Sequence, residues 1–162
     1  MEKLTSYECG YEQKVYGMKT KRYVQAMNLS DDPELIKEYR RIHSEQYSWP
    51  EIRQGIRAVG ILEMELYICG TTVVMIVDTP VDFNWKEAMA RLATLPRQQE
   101  WEDTVAEAQK SPQGATSAQK WHLMERFFHL YEINEYLPRY ETHLSYHCFV
   151  CSDRLDGICA KK

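Results

Sequence analysis

The chain has 162 residues, of which 44% are hydrophobic and 27% charged, and its formal net charge is -4. This length and composition predict one globular domain with its own core rather than a disordered chain. Basic residues are spread among acidic ones, so the sequence lacks the clustered Lys/Arg surface of a nucleic-acid-binding protein.

The start of the chain is polar and contains no apolar segment of the kind that directs secretion. The most apolar run, residues 73–77, is far too short to cross a bilayer. The five cysteines are odd in number and scattered, which does not match a secreted disulfide framework. We therefore expect a cytoplasmic protein with no membrane contact.

Three regions are expected along the chain. Residues 1–18 show no sustained periodicity and predict a poorly ordered leader. The ordered domain is predicted over residues 19–133, and it opens with the loose alternation of a strand at Lys21–Asn28. Residues 134–162 predict an irregular C-terminal tail.

Two helices follow the first predicted strand. Ser30, Asp31 and Asp32 are N-cap candidates, and Pro33 suits the first turn of a helix. The Trp49-Pro50 pair predicts the end of this helix and the start of a second one. Gly60 is the expected stop of the second helix.

A β-hairpin is predicted next. Residues 61–68 read ILEMELYI, in which apolar and polar residues alternate with a period of two. A short turn at residues 69–72 leads to a buried partner strand over Val73–Asp78. Pro80 ends the hairpin.

The remaining pattern predicts two helices and one strand. Asn84 with Glu87 resembles a capping box, and helical segments are predicted through Leu95 and then, after Pro96, through Lys110. The last strand is predicted over residues 121–131, which read WHLMERFFHLY.

This order predicts the split βαβ arrangement of a ferredoxin-like α+β domain with an antiparallel sheet. Helices should cover one sheet face only. A second copy packing sheet to sheet could cover the other face, so we expect a homodimer.

Tyr39 and His43 are the first candidate site residues. Residues four apart lie on one side of a helix with their Cβ atoms about 6 Å apart, so a phenol and an imidazole could contact one small ligand. Histidine can donate and accept a proton near neutral pH. From the spacing alone, however, a core-edge tyrosine and a surface histidine are favoured.

A wider set of residues resembles the L-rhamnose mutarotase family, whose members interconvert sugar anomers. The resemblance is carried by the segments EYRRIH, Trp49-Pro50-Glu51, LYI at 66–68, Gln99-Glu100-Trp101 and LMERFFHL at 123–130, with Gly60 ten residues after the proline. It extends over residues 20–131. It implies a dimeric α+β barrel that uses no metal and no cofactor.

The resemblance also implies roles for individual residues. It makes His43 the catalytic acid/base and Tyr39 a sugar-binding residue. Trp101 matches the second tryptophan of a pair that lines the sugar site, whereas Glu100 stands in place of the first. Met64 stands where many members have a sugar-contacting tyrosine. These departures affect the preferred sugar, and Met-Glu in this strand resembles proteins associated with L-fucose as much as with L-rhamnose.

Physical chemistry adds further candidates. Trp101, followed by Trp49, could stack on the C–H face of a sugar, although core packing explains either ring equally well. Glu65 could bond sugar hydroxyls from its strand face. Anomer exchange needs a second proton-handling group besides His43, which could be Tyr39, Glu65 or water.

Three alternatives remain at this point. Small ferredoxin-like dimers also include haem-handling proteins and cofactor-free oxygenases. A non-catalytic sugar-binding module is another class. The tail residues His143, His147, Cys148, Cys151 and Cys159 could bind zinc, but a single CxxC is a weak signal and we favour free thiols.

Overall fold

The structure is a computed structural model in which residues 9–109 and 120–131 are described. The chain divides into two compact units, Met1–Glu125 and Arg126–Lys162. Of the second unit only residues 126–131 are described, and they form neither helix nor strand. The tail predicted over residues 134–162, with its candidate zinc ligands, lies outside the described residues.

The first unit is an α+β domain with a four-stranded antiparallel sheet, as predicted from the order of elements. Its sheet order is β2-β3-β1-β4, the order of a ferredoxin-like fold. None of the helices in the described segments is long and apolar enough to cross a membrane. The elements in chain order are β1 Thr20–Asn28, α1 Pro33–His43, α2 Pro50–Ala58, β2 Glu63–Cys69, β3 Thr72–Pro80, α3 Trp85–Leu92, α4 Gln98–Ala106 and β4 His122–Leu123.

The predicted N-caps and the glycine stop act as expected. The Asp32 carboxylate caps α1 by accepting hydrogen bonds from the backbone N–H groups of Glu34 and Leu35, at 2.9 and 3.3 Å. Asn84 caps α3 in the same way. Gly60 follows α2 with φ 92°, a backbone conformation that residues other than glycine rarely adopt.

Four predicted ends were wrong. Helix α1 stops at His43 rather than at Trp49-Pro50, and a hydrogen-bonded turn over residues 44–48 separates it from α2. Helix α3 stops at Leu92, and a tight turn follows instead of helix to residue 95. Helix α4 stops at Ala106 rather than at residue 110, because the backbone beyond it bonds to the end of β1 through Ser30 and bridges Leu29. The last strand spans two residues rather than eleven.

Alternation along the strands gives the sheet an inner face, covered by helices, and an outer face. The inner face carries two core clusters. The first core cluster comprises Met27, Leu29, Tyr39, Ile42, Ile52, Val73, Trp101, Val105 and Ala108. The second core cluster comprises Val59, Ile61, Met75, Val77, Ala88 and Leu92.

Residues 9–19, which we call the N-terminal strap, contact the outer face. The ring of Tyr11 lies 5.7 Å from that of Tyr67 on β2, edge to face, and the Gln13 side chain bonds the Tyr67 hydroxyl. Burial first, and then the charges of Glu63 and Asp78, raise the pKa of Tyr16. The outer face is therefore partly covered by the chain itself.

Candidate active site

Helix α1 places Tyr39 and His43 on its inner side, where they pack against each other. Tyr39 is 4% exposed and belongs to the first core cluster, and His43 is half-buried rather than a surface residue. The two ring centroids are 4.2 Å apart with planes inclined at 37°. The four-residue spacing has thus brought the phenol and the imidazole together.

The hydrogen bonding of His43 defines which ring nitrogen carries the proton. Its Nδ1 lies 2.7 Å from the backbone carbonyl oxygen of Tyr39. A carbonyl oxygen only accepts, so Nδ1 must donate, and in the neutral ring the lone pair is then on Nε2.

The surroundings of His43 favour its neutral form. Burial lowers its pKa below the ordinary 6.5, and the positive charge of Arg53 acts in the same direction, while the bond to the Tyr39 carbonyl opposes them. The imidazole is therefore neutral at pH 7, with Nε2 able to accept a proton.

Two tryptophans from different helices extend the aromatic group. Trp101 on α4 meets His43 edge to face at 4.9 Å between centroids, and it meets Trp49 at 5.4 Å. Trp49 immediately precedes α2. His43, Trp101 and Trp49 form a continuous aromatic cluster, and an aromatic ring can pack on the C–H face of a sugar ring.

Arg97 covers the Trp49 ring. Its guanidinium carbon lies 3.9 Å from the ring centroid, a cation–π contact. Glu100 accepts two hydrogen bonds from the same guanidinium at 2.9 and 3.0 Å. A carboxylate oxygen of Glu51 lies 3.5 Å from another nitrogen of this guanidinium. Glu100 is thus exposed and connects to the aromatic group through Arg97. The pairing lowers the pKa of Glu100.

The hydroxyl end of Tyr39 lies in a polar part of the interior. Burial is the main reason that the pKa of Tyr39 is raised from 10.0 to about 12; the charge of Glu102 adds to this effect and a hydrogen bond with the Gln109 side chain opposes it. Lys120, itself buried, pairs with Glu102 at 3.3 Å. Tyr39 therefore stays protonated near neutral pH and can donate a hydrogen bond.

Two candidates lie elsewhere. Met64 packs against the second core cluster, whereas Tyr39 and Trp101 belong to the first. Glu65 lies on the outer face, where it accepts a 3.0 Å hydrogen bond from the Tyr67 hydroxyl. Strand alternation places Glu65 and His43 on opposite sides of the sheet.

Sequence reasoning missed Arg97, Gln109 and the pair of Lys120 with Glu102. The contacts of Arg97 with Trp49, of Gln109 with Tyr39 and of Lys120 with Glu102 join different parts of the chain, so no fixed spacing in the sequence predicts them. In residues 9–109 and 120–131, no three His, Cys, Asp or Glu side chains are grouped in a way that could hold a metal ion.

Comparison with known proteins places these residues in context. The profile of the L-rhamnose mutarotase family matches residues 22–130. An L-fucose mutarotase of Xanthomonas campestris pv. campestris is 33% identical over 115 residues, which cover 71% of this chain and 92% of that protein. A UPF0734 protein of Dictyostelium discoideum is 31% identical over 91 residues, covering 56% of this chain and 71% of that protein. The matched range begins after the N-terminal strap.

Proposed function

This chain belongs to the L-rhamnose mutarotase family, and from that premise we propose that it interconverts the α and β anomers of a 6-deoxy-L-hexose, L-rhamnose or L-fucose. Membership makes it an isomerase that acts as an aldose mutarotase. It also favours this activity over haem handling, cofactor-free oxygenation and non-catalytic sugar binding. The observation that carries the proposal is the neutral His43, which keeps a lone pair on Nε2 and whose ring packs against Trp101.

His43 is the proposed acid/base. Its Nε2 accepts the proton of the anomeric hydroxyl as the bond between C1 and the ring oxygen breaks, and the ring oxygen takes up a proton. The product is the open-chain aldehyde. Rotation about the C1–C2 bond exposes the other face of the aldehyde, and the reverse proton transfers close the ring as the other anomer.

The second proton-handling group in this proposal is Tyr39 or a water molecule. The Tyr39 hydroxyl remains protonated near neutral pH, which suits a donor to a sugar oxygen. Glu65 faces away from His43 within one chain, so it is not assigned this role. Trp101 and Trp49 are the proposed packing surface for the sugar ring, with Glu100 supporting Trp49 through Arg97.

The test is proton NMR saturation transfer between the α and β anomeric signals, with L-rhamnose and L-fucose measured in parallel. We expect faster exchange with at least one sugar, and a loss of about 10²- to 10⁴-fold in His43→Phe. Phenylalanine keeps a ring against Tyr39 and Trp101 while removing both nitrogens. No acceleration by the wild-type protein with either sugar would refute the proposal.

His122→Gln is the matched control. His122 is an exposed histidine on β4, at the opposite edge of the sheet from β2. Exchange should be unchanged in this variant. Circular dichroism of both variants separates loss of chemistry from loss of fold.

We further propose a cytoplasmic homodimer that packs through the outer sheet face. The helices in the described part of the chain cover only the inner face, and Val24, Val74 and Ile76 are half-buried apolar residues at the centre of the outer one. Cys9 and Cys69 are free and exposed, as suits a reducing compartment.

A further inference from the structure

Gln109 holds an unusual position beside the proposed site. It follows α4, is 5% exposed, and is fixed by a backbone bridge to Leu29 and a hydrogen bond from its N–H to the Val105 carbonyl. Its side chain bonds the Tyr39 hydroxyl in the sense that lowers the pKa of Tyr39. The amide nitrogen therefore donates and the phenol oxygen accepts.

The other atom of the same amide is unsatisfied. Gln109 Oε1 is buried and has no hydrogen-bond partner among the described residues. The oxygen and nitrogen of one amide are separated by only about 2 Å, so this acceptor lies next to the Tyr39 hydroxyl. Buried polar atoms are nearly always paired, and an orphan of this kind indicates a missing donor.

We infer that Gln109 is a specificity-determining residue whose Oε1 accepts a hydrogen bond from one hydroxyl of the bound sugar. Its Nε2 also aims the Tyr39 hydroxyl, because a phenol oxygen that accepts from Gln109 is free to donate its own proton to the sugar. The inference rests on the proposed function and adds a residue that binds the substrate without transferring protons.

The chemistry of the surroundings supports a polyol ligand. The adjacent side chains combine a hydroxyl donor, an amide acceptor and the ion pair of Glu102 with Lys120. The ring of His43 packs against Tyr39, and Trp101 in turn packs against His43. A sugar has both an apolar face and a set of hydroxyls, as such a mixed site requires.

The test is a double-mutant cycle between Gln109 and the sugar hydroxyls. Calorimetry measures the affinity of the wild-type protein and of Gln109→Met for the better-binding deoxyhexose and for analogues that each lack one further hydroxyl. We expect the wild-type protein to bind one analogue about tenfold more weakly than the parent sugar. In Gln109→Met that ratio should fall close to one, while the ratios for the other analogues stay as they are.

Gln25→Met is the matched control. Gln25 is equally buried, and one atom of its amide, Nε2, likewise has no hydrogen-bond partner. In Gln25→Met, the ratio of the affinity for the parent sugar to the affinity for the weakly bound analogue should stay at its wild-type value. An equal loss of that ratio in both variants, or an unchanged ratio in Gln109→Met, overturns the inference. So does a wild-type protein that binds none of these sugars.

A measurement on the wild-type protein avoids any question of folding. The side-chain amide NMR signals of Gln109 should shift with the parent sugar and much less with the critical analogue; signals that do not move at saturation contradict the inference. Sugar binding without faster anomer exchange would instead refute the proposed function alone.

Discussion

His43 differs from an ordinary surface histidine in how it titrates. Its pKa is lowered, so the folded protein prefers the neutral ring more strongly than the unfolded chain does. At a pH between the lowered value and 6.5, the unfolded chain binds more protons than the folded protein. The stability contributed by neutral His43 is therefore complete above pH 6.5 and is lost as pH falls through the lowered pKa.

Two pH profiles should reflect this titration. We expect the rate of anomer exchange to stay level as pH falls past 6.5 and to drop only through the lowered pKa. The free energy of unfolding in urea should begin to decrease already below 6.5. NMR titration of the His43 ring protons measures the pKa directly, and a value above 6.5 would contradict the prediction.

The variants His43→Phe and His122→Gln test whether His43 causes the pH dependence of unfolding. In His43→Phe the contribution of this residue to the pH dependence of unfolding should vanish. In His122→Gln it should remain, since that side chain is exposed. A profile unaltered in His43→Phe would assign the effect to other groups.

Some of the site could be predicted at the level of single residues. The contact between Tyr39 and His43 follows from helical spacing. The presence of Trp101 near them was expected from the family resemblance. The proton position on His43 and the role of Arg97 could not be predicted, because they depend on a backbone carbonyl and on a contact between different helices. The assignment of Glu65 to the opposite sheet face was available from strand alternation alone.

Among the elements, the start of α4 carries a conformational cost. Arg97 precedes the helix with φ 61°, in the left-handed region that is unfavourable for residues other than glycine. Its side chain meanwhile contacts Trp49, Glu51 and Glu100. At Arg97 the backbone conformation thus lowers the stability of the fold, while the side-chain contacts raise it.

Arg97→Gly and Arg97→Ala should separate these effects. Both variants lose the guanidinium, but only alanine keeps a Cβ in the left-handed conformation, so the glycine variant should melt about 3 °C higher than the alanine variant. Both should bind sugar equally weakly, because both release the Trp49 ring. Thermal melts and calorimetry test the two statements.

Equal melting temperatures would mean that the backbone at residue 97 is not left-handed in solution. Unequal sugar affinities would mean that the helix start, rather than the contact with Trp49, controls binding. Arg97→Lys adds a further comparison, since it keeps a charge but loses the planar group that stacks on the indole.

The elements themselves were predicted unevenly. The caps at Asp32 and Asn84 and the stop at Gly60 are local signals, and they were confirmed. The end of α4 depends on pairing with the end of β1, which is distant in sequence. The alternation in residues 121–131 is broken by the adjacent Phe127 and Phe128, and only two residues pair as strand.

At the scale of the whole molecule, the N-terminal strap and a second copy would compete for the outer sheet face. Tyr11 and Gln13 contact Tyr67 on the face that we propose for dimer packing. Removing residues 1–18 uncovers this face, so the truncated chain should dimerise at a concentration at least about tenfold lower than the full chain. Sedimentation analysis of both chains measures the difference.

Point variants localise the effect without truncation. Tyr11→Ser should shift the equilibrium in the same direction as the truncation, by a smaller amount. Tyr47→Ser removes another exposed tyrosine from outside the strap and should change nothing. A truncated chain that dimerises no more readily than the full chain would show that the strap does not compete with the second copy.

The division of the interior into two core clusters sets how this chain can change over evolution. The first cluster includes Tyr39 and Trp101 and is bordered by Trp49, while the second contains no residue of the aromatic group. Under the proposed function, selection for a new sugar acts on the first cluster, while the second cluster holds the hairpin and α3 together. Ile56, Leu66 and Trp121 pack against both clusters, so adaptation and folding constrain each other most directly at these three residues.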